Sequence, residues 1–333
     1  MSESDAMERA EGLPETMTAV GIEHYGKRDR LEVMEMPVPV PAPGEVLVRV
    51  HGAGVGIWDV GVRRGEWDME RPLPLVLGLE ASGVVFRTGS EDSAFHEGDA
   101  VIAYLYPLPY QGAYAEYVLL PERYLAAAPK GLDLVEAAAL PVAGTTAHLV
   151  LTDILQLQPG ETLLVTAAAG GVGTLAVQMA RELGAHVVAT AGSESSRDYL
   201  GELGVEEIVD YRHEDWPDRV RAAHPEGVDA VLDAAGGKTG ERALEALRDG
   251  GRLAELTADA PSNPPRGIRV LTVAAVADAE RLALVSRMVE EGRLQVRVQR
   301  VLPLREAAHA HEVVEKGHVH GKVILDAAPK RAA

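Results

Sequence analysis

Apolar positions in this chain follow two different rhythms. From Met17 to about Tyr124, short alternating or continuous apolar runs are separated by Gly and Pro turns, as in EVLVRVHGAGV (45–55), SGVVF (82–86) and DAVIAY (99–104). Little helical periodicity lies between them, so this stretch predicts a strand-rich, partly barrelled domain. From about Leu125 the pattern becomes strand, helix, strand. Strands are predicted at 162–166, 187–190, 207–211, 229–233, 252–256 and 268–273, with helices at 173–183, 196–203, 216–223 and 240–247. Repeated β-α units require a parallel sheet with helices on both faces, and six strands fit the doubly wound dinucleotide fold. After Ala274 the periodicity predicts a helix (280–291), a strand (296–301), a helix (304–316) and a last strand (322–325). The Pro-rich segment 257–267 reads as loop, and residues 1–16, acidic and polar, read as a flexible tail.

The segment LLVTAAAGGVGTLAVQMARELGA (163–185) carries the chemistry. A buried β-branched strand runs through a turn of small residues into an amphipathic helix, with Leu175, Met179 and Leu183 at helical spacing and Gly184 where the helix would stop. Ala168, Gly170 and Gly173 fall at the three positions of a GxGxxG fingerprint whose first glycine is replaced. Small residues there let the backbone approach a pyrophosphate and aim the N–H groups of a helix start at its charge. An NAD-selective site places Asp or Glu at the end of the second strand, about 20 residues on. Here that position is Gly192, which leaves room for a 2′-phosphate and removes the repelling carboxylate. Ser193 offers a hydroxyl, Arg197 offers a charge-assisted fork, and Tyr211 ends the next strand nearby. Glu194 is an unfavourable neighbour, and Arg197 reads alternatively as a solvated helix charge. The pattern predicts NADP(H).

Composition narrows the partners. The chain has 333 residues, 47% of them apolar, enough for two cored domains. Its formal net charge of −19 opposes nucleic acid and anionic membranes as partners. No apolar run approaches the roughly 18 residues of a membrane span and no signal pattern opens the chain, so the expected location is the cytoplasm. Cysteine is absent, which removes disulfides, thiolate nucleophiles and cysteine-ligated metals. The run HAHEVVEKGHVH (309–320) holds HExxE, not HExxH, and reads as a surface histidine cluster. No GxSxG is present. The aromatic stretch YLYPLPYQGAY (104–114) is either strand-edge packing or a lid over a flat substrate, and Trp58 and Trp67 are open to similar readings.

Taken in order, GVGIWDVGVRRG (54–65), PLPLVLGLEASGVV (72–85), GAYAEYVLLP (112–121), AAAGGVG (167–173), VDAVLDAAGG (228–237) and HGKVIL (320–325) resemble the medium-chain dehydrogenase/reductase superfamily, in its zinc-free, zeta-crystallin-like quinone oxidoreductase branch. The resemblance implies an α/β protein with a GroES-like β-rich catalytic domain built from both chain ends (17–124 and 275–333) and a Rossmann coenzyme domain between them (125–274). It also implies a homodimer. Gly170, Gly171, Val172 and Gly173 would hold the pyrophosphate. Thr146 would stand near the nicotinamide, and Ala234 and Leu256 would line the coenzyme. Zinc-dependent relatives hold their metal through positions that are Gly56 and Leu79 here, neither able to ligate, and Glu80 alone cannot; Glu80 is expected to orient a loop from a partly buried position. Quinone reductases of this type carry Asn at the Gly56 position and Tyr at the Gly61 and Trp67 positions, whereas Asp59 and Gly65 are kept. Loss of the polar pair is expected to enlarge the substrate pocket. Asp59, Trp67 and Thr146 are the candidate catalytic residues, although Asp59 is equally explained as structural. The implied reaction is NADPH-dependent hydride transfer to a quinone or other conjugated carbonyl, by positioning more than by acid–base groups. Two alternatives remain open: an enoyl thioester reductase of polyketide or fatty-acyl type, and a catalytically decayed NADPH-binding sensor.

Overall fold

A computed structural model describes residues 12–257 and 264–328. Residues 1–11 of the expected tail and 258–263 of the expected Pro-rich loop lie outside the described residues. The chain divides into two compact units, one of residues 1–142, 276–290 and 296–333, the other of residues 143–275 and 291–295. Where the change of rhythm places a boundary near Leu125, the first unit keeps the chain as far as Val142. The reason is pairing: strand Leu125–Ala127 joins Ala100–Tyr104, and helix Leu134–Ala137 packs on strand Glu45–Val55.

The first unit is built around the long strand Glu45–Val55. In its larger sheet the strand order is Val298–Pro303, Lys322–Asp326, Glu45–Val55, Glu80–Thr88, Ala100–Tyr104 and Leu125–Ala127, with Tyr117–Pro121 also paired to Glu45–Val55. Two register shifts bend the pairing of Glu45–Val55 with Glu80–Thr88, as bulges do where a sheet must curl. Val323 pairs with Val55 on one side of the long strand, and Ala81 pairs with Ala53 on the other. This register sets Lys322 and Glu80 on either side of the glycine-bearing end of Glu45–Val55. A three-stranded sheet, Glu32–Pro37, Thr16–Ile22 and Leu75–Val76, completes the strand set. Helices Ile57–Arg64, Leu134–Ala137 and Pro141–Leu149 escape sequence periodicity, the first because the Gly- and Val-rich run 54–65 disguises it as strand.

The second unit holds six parallel strands in the order Glu207–Val209, His186–Thr190, Thr162–Val165, Val228–Asp233, Leu247–Glu255 and Arg269–Thr272. Sheets buried on both faces read as continuous apolar runs, which is why these strands were visible in the sequence. Helices Gly171–Glu182, Glu194–Glu202, Trp216–Ala223 and Gly237–Ala246 connect them. One face is filled by Leu164, Val188, Trp216, Val220, Val231, Leu244 and Leu253. The fifth strand starts at Leu247 rather than at the predicted Arg252, because the ladder resumes across a register shift around Gly250 and Gly251. The first strand of the six lies between the second and fourth. Strand order therefore reverses beside Thr162–Val165, and ligands of such sheets bind at the carboxyl ends around that point. No helix of the described residues is long and apolar enough to cross a membrane.

Candidate coenzyme and substrate sites

In the second unit, the turn after Thr162–Val165 supplies the phosphate-binding geometry. Ala167 carries the left-handed conformation (φ +47°), a role a glycine usually takes. Ala168 is fully buried beneath the turn, and Gly170 caps helix Gly171–Glu182. A Cβ on Gly173 would lie 2.5 Å from the Ala167 carbonyl oxygen and 2.7 Å from Ala168 Cα, so this glycine lets helix and strand close on each other. A Cβ on Gly170 would meet only the Ala167 oxygen, at 3.2 Å. The first-turn N–H groups of Gly171, Val172 and Gly173 have no intrahelical acceptor and carry the positive end of the helix dipole.

The carboxyl end of Val228–Asp233 is tied to the same turn. Thr166 Oγ1 donates to Asp233 Oδ1 at 2.5 Å and accepts from Ala234 N at 3.0 Å and Ala235 N at 3.1 Å. Asp233 also accepts from Gly236 N at 3.1 Å, and a Cβ on Gly240 would collide with its carboxylate. Leu256 N donates to the Asp233 carbonyl at 3.0 Å. Ala168, the 170–173 glycine run, Ala234 and Leu256 are thus joined through Thr166 and Asp233, a pair that motif reading passed over. Thr146 is buried on helix Pro141–Leu149.

At the end of His186–Thr190 the arrangement differs from expectation. The space beside Gly192 is occupied by Tyr211, whose hydroxyl lies 2.8 Å from where a Cβ would stand. Ser193 spends its hydroxyl capping helix Glu194–Glu202, accepting from Ser196 N at 3.1 Å. Arg197 is engaged with Asp210 at 3.3 Å, and Arg212 binds the same carboxylate at 2.6 Å. The Arg212 guanidinium holds Asp210 well below the usual carboxylate range.

In the first unit, Asp59 is 1% exposed, and its Oδ2 accepts from Gly56 N at 2.8 Å, closing the start of helix Ile57–Arg64. Burial pushes its carboxyl up to about 7. Beside it Tyr114, also fully buried, shares a contact of 3.3 Å with His311 Nε2. His311 Nδ1 faces Arg63 at 3.4 Å, and Arg63 reaches Glu315 at 2.7 Å. Because Arg63 only donates, His311 accepts through Nδ1 and presents Nε2–H to Tyr114. Burial, and then Arg63, push His311 down to about 3, so it stays neutral. The reading of 309–320 as a surface histidine cluster is therefore corrected: His309 and His318 are exposed, but His311 turns into the core.

Two further expectations change here. Glu80 is completely buried rather than partly so: it forms an ion pair with Lys322 and accepts from Val142 N at 3.0 Å. Nor do the two glycines open the pocket. A Cβ on Gly56 would lie 2.6 Å from Trp58 Cδ2, and one on Gly61 would lie 3.4 Å from Trp67 Cγ. The indoles fill the volume that larger side chains would take. Trp67 is 44% exposed, whereas Trp58 is half-buried with the Lys322 ammonium 4.4 Å from its ring centroid. Lys322 was missed in sequence, although a lysine opening an apolar strand in HGKVIL is an available signal.

Residues 42–130 match the alcohol dehydrogenase GroES-like domain, and residues 203–325 match the zinc-binding dehydrogenase family. A zinc ion does not fit the donors present. Gly56 and Leu79 offer no ligand atom, and the carboxylate of Glu80, next to Leu79, is neutralised by Lys322. The chain is 30% identical over 293 residues to a quinone oxidoreductase of Sus scrofa, covering 84% of this chain and 88% of that protein. It is 30% identical over 325 residues to a chloroplastic NADPH-dependent alkenal/one oxidoreductase of Arabidopsis thaliana, covering 94% and 80%. A crystal structure of an NAD-dependent alcohol dehydrogenase superposes with a TM-score of 0.87 at 38% identity, covering 93% of this chain and 99% of that one. The chain is an oxidoreductase of the medium-chain dehydrogenase/reductase superfamily, in its quinone oxidoreductase branch.

Proposed function

We propose that the protein reduces a quinone or another conjugated carbonyl with NADPH, without a metal. The observation that carries this reading is the bend Ala168–Gly173: a close-packed turn at the carboxyl end of a parallel strand, beside the point where strand order reverses, opening a helix whose first-turn N–H groups have no acceptor within the helix. A dinucleotide held there would supply hydride. Gly170, Gly171, Val172 and Gly173 bind its pyrophosphate, while Ala168 supports the turn from below. Ala234 and Leu256 line it, and Thr146 meets its nicotinamide end. The absence of a carboxylate at Gly192 and the gathering of Arg197 and Arg212 on one Asp210 support a 2′-phosphate. Ser193 and Tyr211 border it. In the first unit, Asp59 fixes the start of helix Ile57–Arg64, and Trp67 offers a flat apolar wall to a planar acceptor.

Calorimetry with NADPH and NADH, followed by NADPH oxidation across quinones, enones and enoyl thioesters, tests the proposal. Turnover of quinones or enones supports it. Turnover confined to enoyl thioesters makes the protein a carrier-linked enoyl reductase, and tight NADPH binding with no turnover makes it a sensor. No heat with either coenzyme refutes the reading altogether. We also propose a homodimer joined along the edge strand Arg269–Thr272, which has one sheet neighbour in the protomer. Light scattering on the eluting protein decides this, and a monomeric mass overturns it.

A further inference from the structure

Nine large apolar side chains are exposed among the described residues, and three of them, Ile57, Trp67 and Tyr25, stand in one line on the first unit. The line follows helix Ile57–Arg64. Asp59, Val60 and Arg63 turn inward from this helix, while Ile57, Gly61 and the capping Gly65 recur every four residues on another side. Positions so spaced stack about 6 Å apart, one turn above the other. Ile57 keeps its own side chain there and is 57% exposed. The two glycines carry none, and each is overlaid by a ring from elsewhere in the chain. A Cβ on Gly61 would lie 3.4–3.5 Å from Cγ, Cδ1 and Cδ2 of Trp67 alike, so the indole lays one face against the helix and turns the other outward. A Cβ on Gly65 would lie 3.1 Å from Cγ of Tyr25, whose ring is likewise exposed.

Both rings are pinned from the backbone. Glu66 N and Trp67 N donate to the Gly61 carbonyl at 2.9 Å and 3.4 Å. Gly26 N donates to the Arg63 carbonyl at 2.9 Å, and Arg63 Nε returns a bond to the Gly26 carbonyl at 3.1 Å, which fixes Tyr25 over Gly65. Single exposed apolar side chains are ordinary on a protein surface, but three at one-turn spacing mark a place where an apolar partner lies. Its size decides which. A protein interface needs about 20–30 residues a side, far more than three side chains. The flank selects no charge, because Arg64 is neutralised by Glu66 at 3.7 Å and Glu315 at 2.8 Å. A strip about 12 Å long and one ring wide fits a single hydrocarbon chain.

We infer that the acceptor reduced by this enzyme carries an unbranched apolar tail, which lies from Trp67 to Tyr25 along the glycine face of helix Ile57–Arg64. The inference rests on the reductase reading above and names the substrate class within it: alkyl-substituted quinones or alkyl enones instead of bare ones. Direction follows from what stands at each end. Ile57 opens the helix beside Gly56 and Asp59, so the planar carbonyl group belongs between Ile57 and Trp67. Tyr25 stands two turns from Ile57, on a loop that brings no candidate catalytic residue, so the tail belongs there. Tyr25 is thereby a specificity residue and not a catalytic one. Each methylene laid on the strip touches a ring on one side and keeps solvent on the other. Full burial of a methylene is worth about fourfold in affinity, and half burial about twofold. The gain is shared by ground state and transition state, so it falls on KM more than on kcat.

The test uses the full-length enzyme, NADPH, and 1,4-benzoquinones and vinyl ketones bearing methyl to hexyl chains. In the parent, kcat/KM is expected to rise about twofold per added methylene, chiefly through KM, reaching about thirtyfold at hexyl. Tyr25→Ala is expected to lower the hexyl-to-methyl ratio of kcat/KM at least about fivefold, and Tyr25→Phe, which keeps the ring, to preserve it. A ratio of this kind does not depend on how much of each variant is folded. Independently of turnover, the Trp67 indole 1H–15N resonance, assigned by its loss in Trp67→Phe, is expected to shift on titration with 2-octanone in the presence of NADP+ and to stay in place with acetone at the same concentration. A parent indifferent to chain length, a Tyr25→Ala enzyme with the parent's ratio, or a resonance unmoved by 2-octanone overturns the inference. Failure of the parent to oxidise NADPH with any acceptor refutes the reductase reading instead, and the resonance then decides whether a hydrocarbon chain lies on the strip.

Discussion

Two glycines three residues apart at the dinucleotide bend are assigned opposite duties, and alanine at each separates them. A Cβ at Gly173 meets three main-chain atoms of the same turn: the Ala167 oxygen at 2.5 Å, Ala168 Cα at 2.7 Å and Ala168 C at 2.8 Å. Backbone cannot rotate away as a side chain does, so the helix must lift from the strand by several tenths of an ångström. Overpacking of this kind costs about 1–3 kcal/mol. Alanine's better helix propensity offsets up to about 1 kcal/mol of that. A net loss of about 1–2 kcal/mol lowers Tm by about 3–8 °C. At Gly170 the only neighbour is one oxygen at 3.2 Å, and φ is −75°, which any residue adopts. Gly170→Ala should therefore leave Tm near that of the parent. Its methyl instead stands where a pyrophosphate would approach the helix start, and the NADPH Kd should rise at least about tenfold, near 1.4 kcal/mol. Scanning calorimetry of the free proteins and titration calorimetry with NADPH read the two effects separately. If Gly170→Ala binds NADPH like the parent, or if Gly173→Ala melts at the parent's temperature, the division of roles is wrong.

Arg197→Ala should weaken NADPH by about tenfold and NADH by less than about threefold, since it removes a cation and frees Asp210 to face the 2′-position; equal losses in fluorescence titrations with the two coenzymes would falsify this assignment. Thr166→Val leaves the buried Asp233 one donor short and strips the acceptor from Ala234 N, so urea unfolding should report a loss of about 2–4 kcal/mol, and an unchanged midpoint would show that the bridge is dispensable. Asp59 is raised from 3.8 to about 7 by burial, so the folded chain holds its proton more tightly than the unfolded chain. Its contribution is complete below about pH 4 and is lost as pH rises through about 7. Asp59→Asn, which cannot ionise, should accordingly gain in Tm relative to the parent between about pH 4 and about pH 7, whereas a constant difference over that window would mean that Asp59 titrates as an ordinary carboxylate.

How much could be read beforehand depended on whether a contact was local. Strands of the coenzyme unit are buried on both faces and announced themselves as apolar runs, and helix Trp216–Ala223 was placed to the residue because Pro217 stands in its first turn. The phosphate bend was legible for the same reason: strand, turn and helix are contiguous. Helix Ile57–Arg64 was not, since three valines and four glycines in 54–65 mimic a strand, and its start is fixed by one side chain, Asp59, closing on Gly56. Glu80 and Lys322 lie 242 positions apart and meet only because the long central strand separates their own strands at a glycine. His311 looked like one of several exposed histidines; its burial follows from which face of helix Ala307–Lys316 meets Arg63 and Tyr114. The space beside Gly56 and Gly61 departs furthest from expectation, because the indoles of Trp58 and Trp67 occupy it.

That interlock at Gly56 also restricts what the protein can become. Positions 56 and 58 cannot drift separately: a methyl at 56 evicts the indole, and trimming 58 first uncovers a charged amine. Any route by which a polar group returns to 56 passes through a doubly compromised intermediate, unless both codons change together. Substitution there behaves as a valve, and a library built to retune this enzyme should randomise the two sites as a single unit.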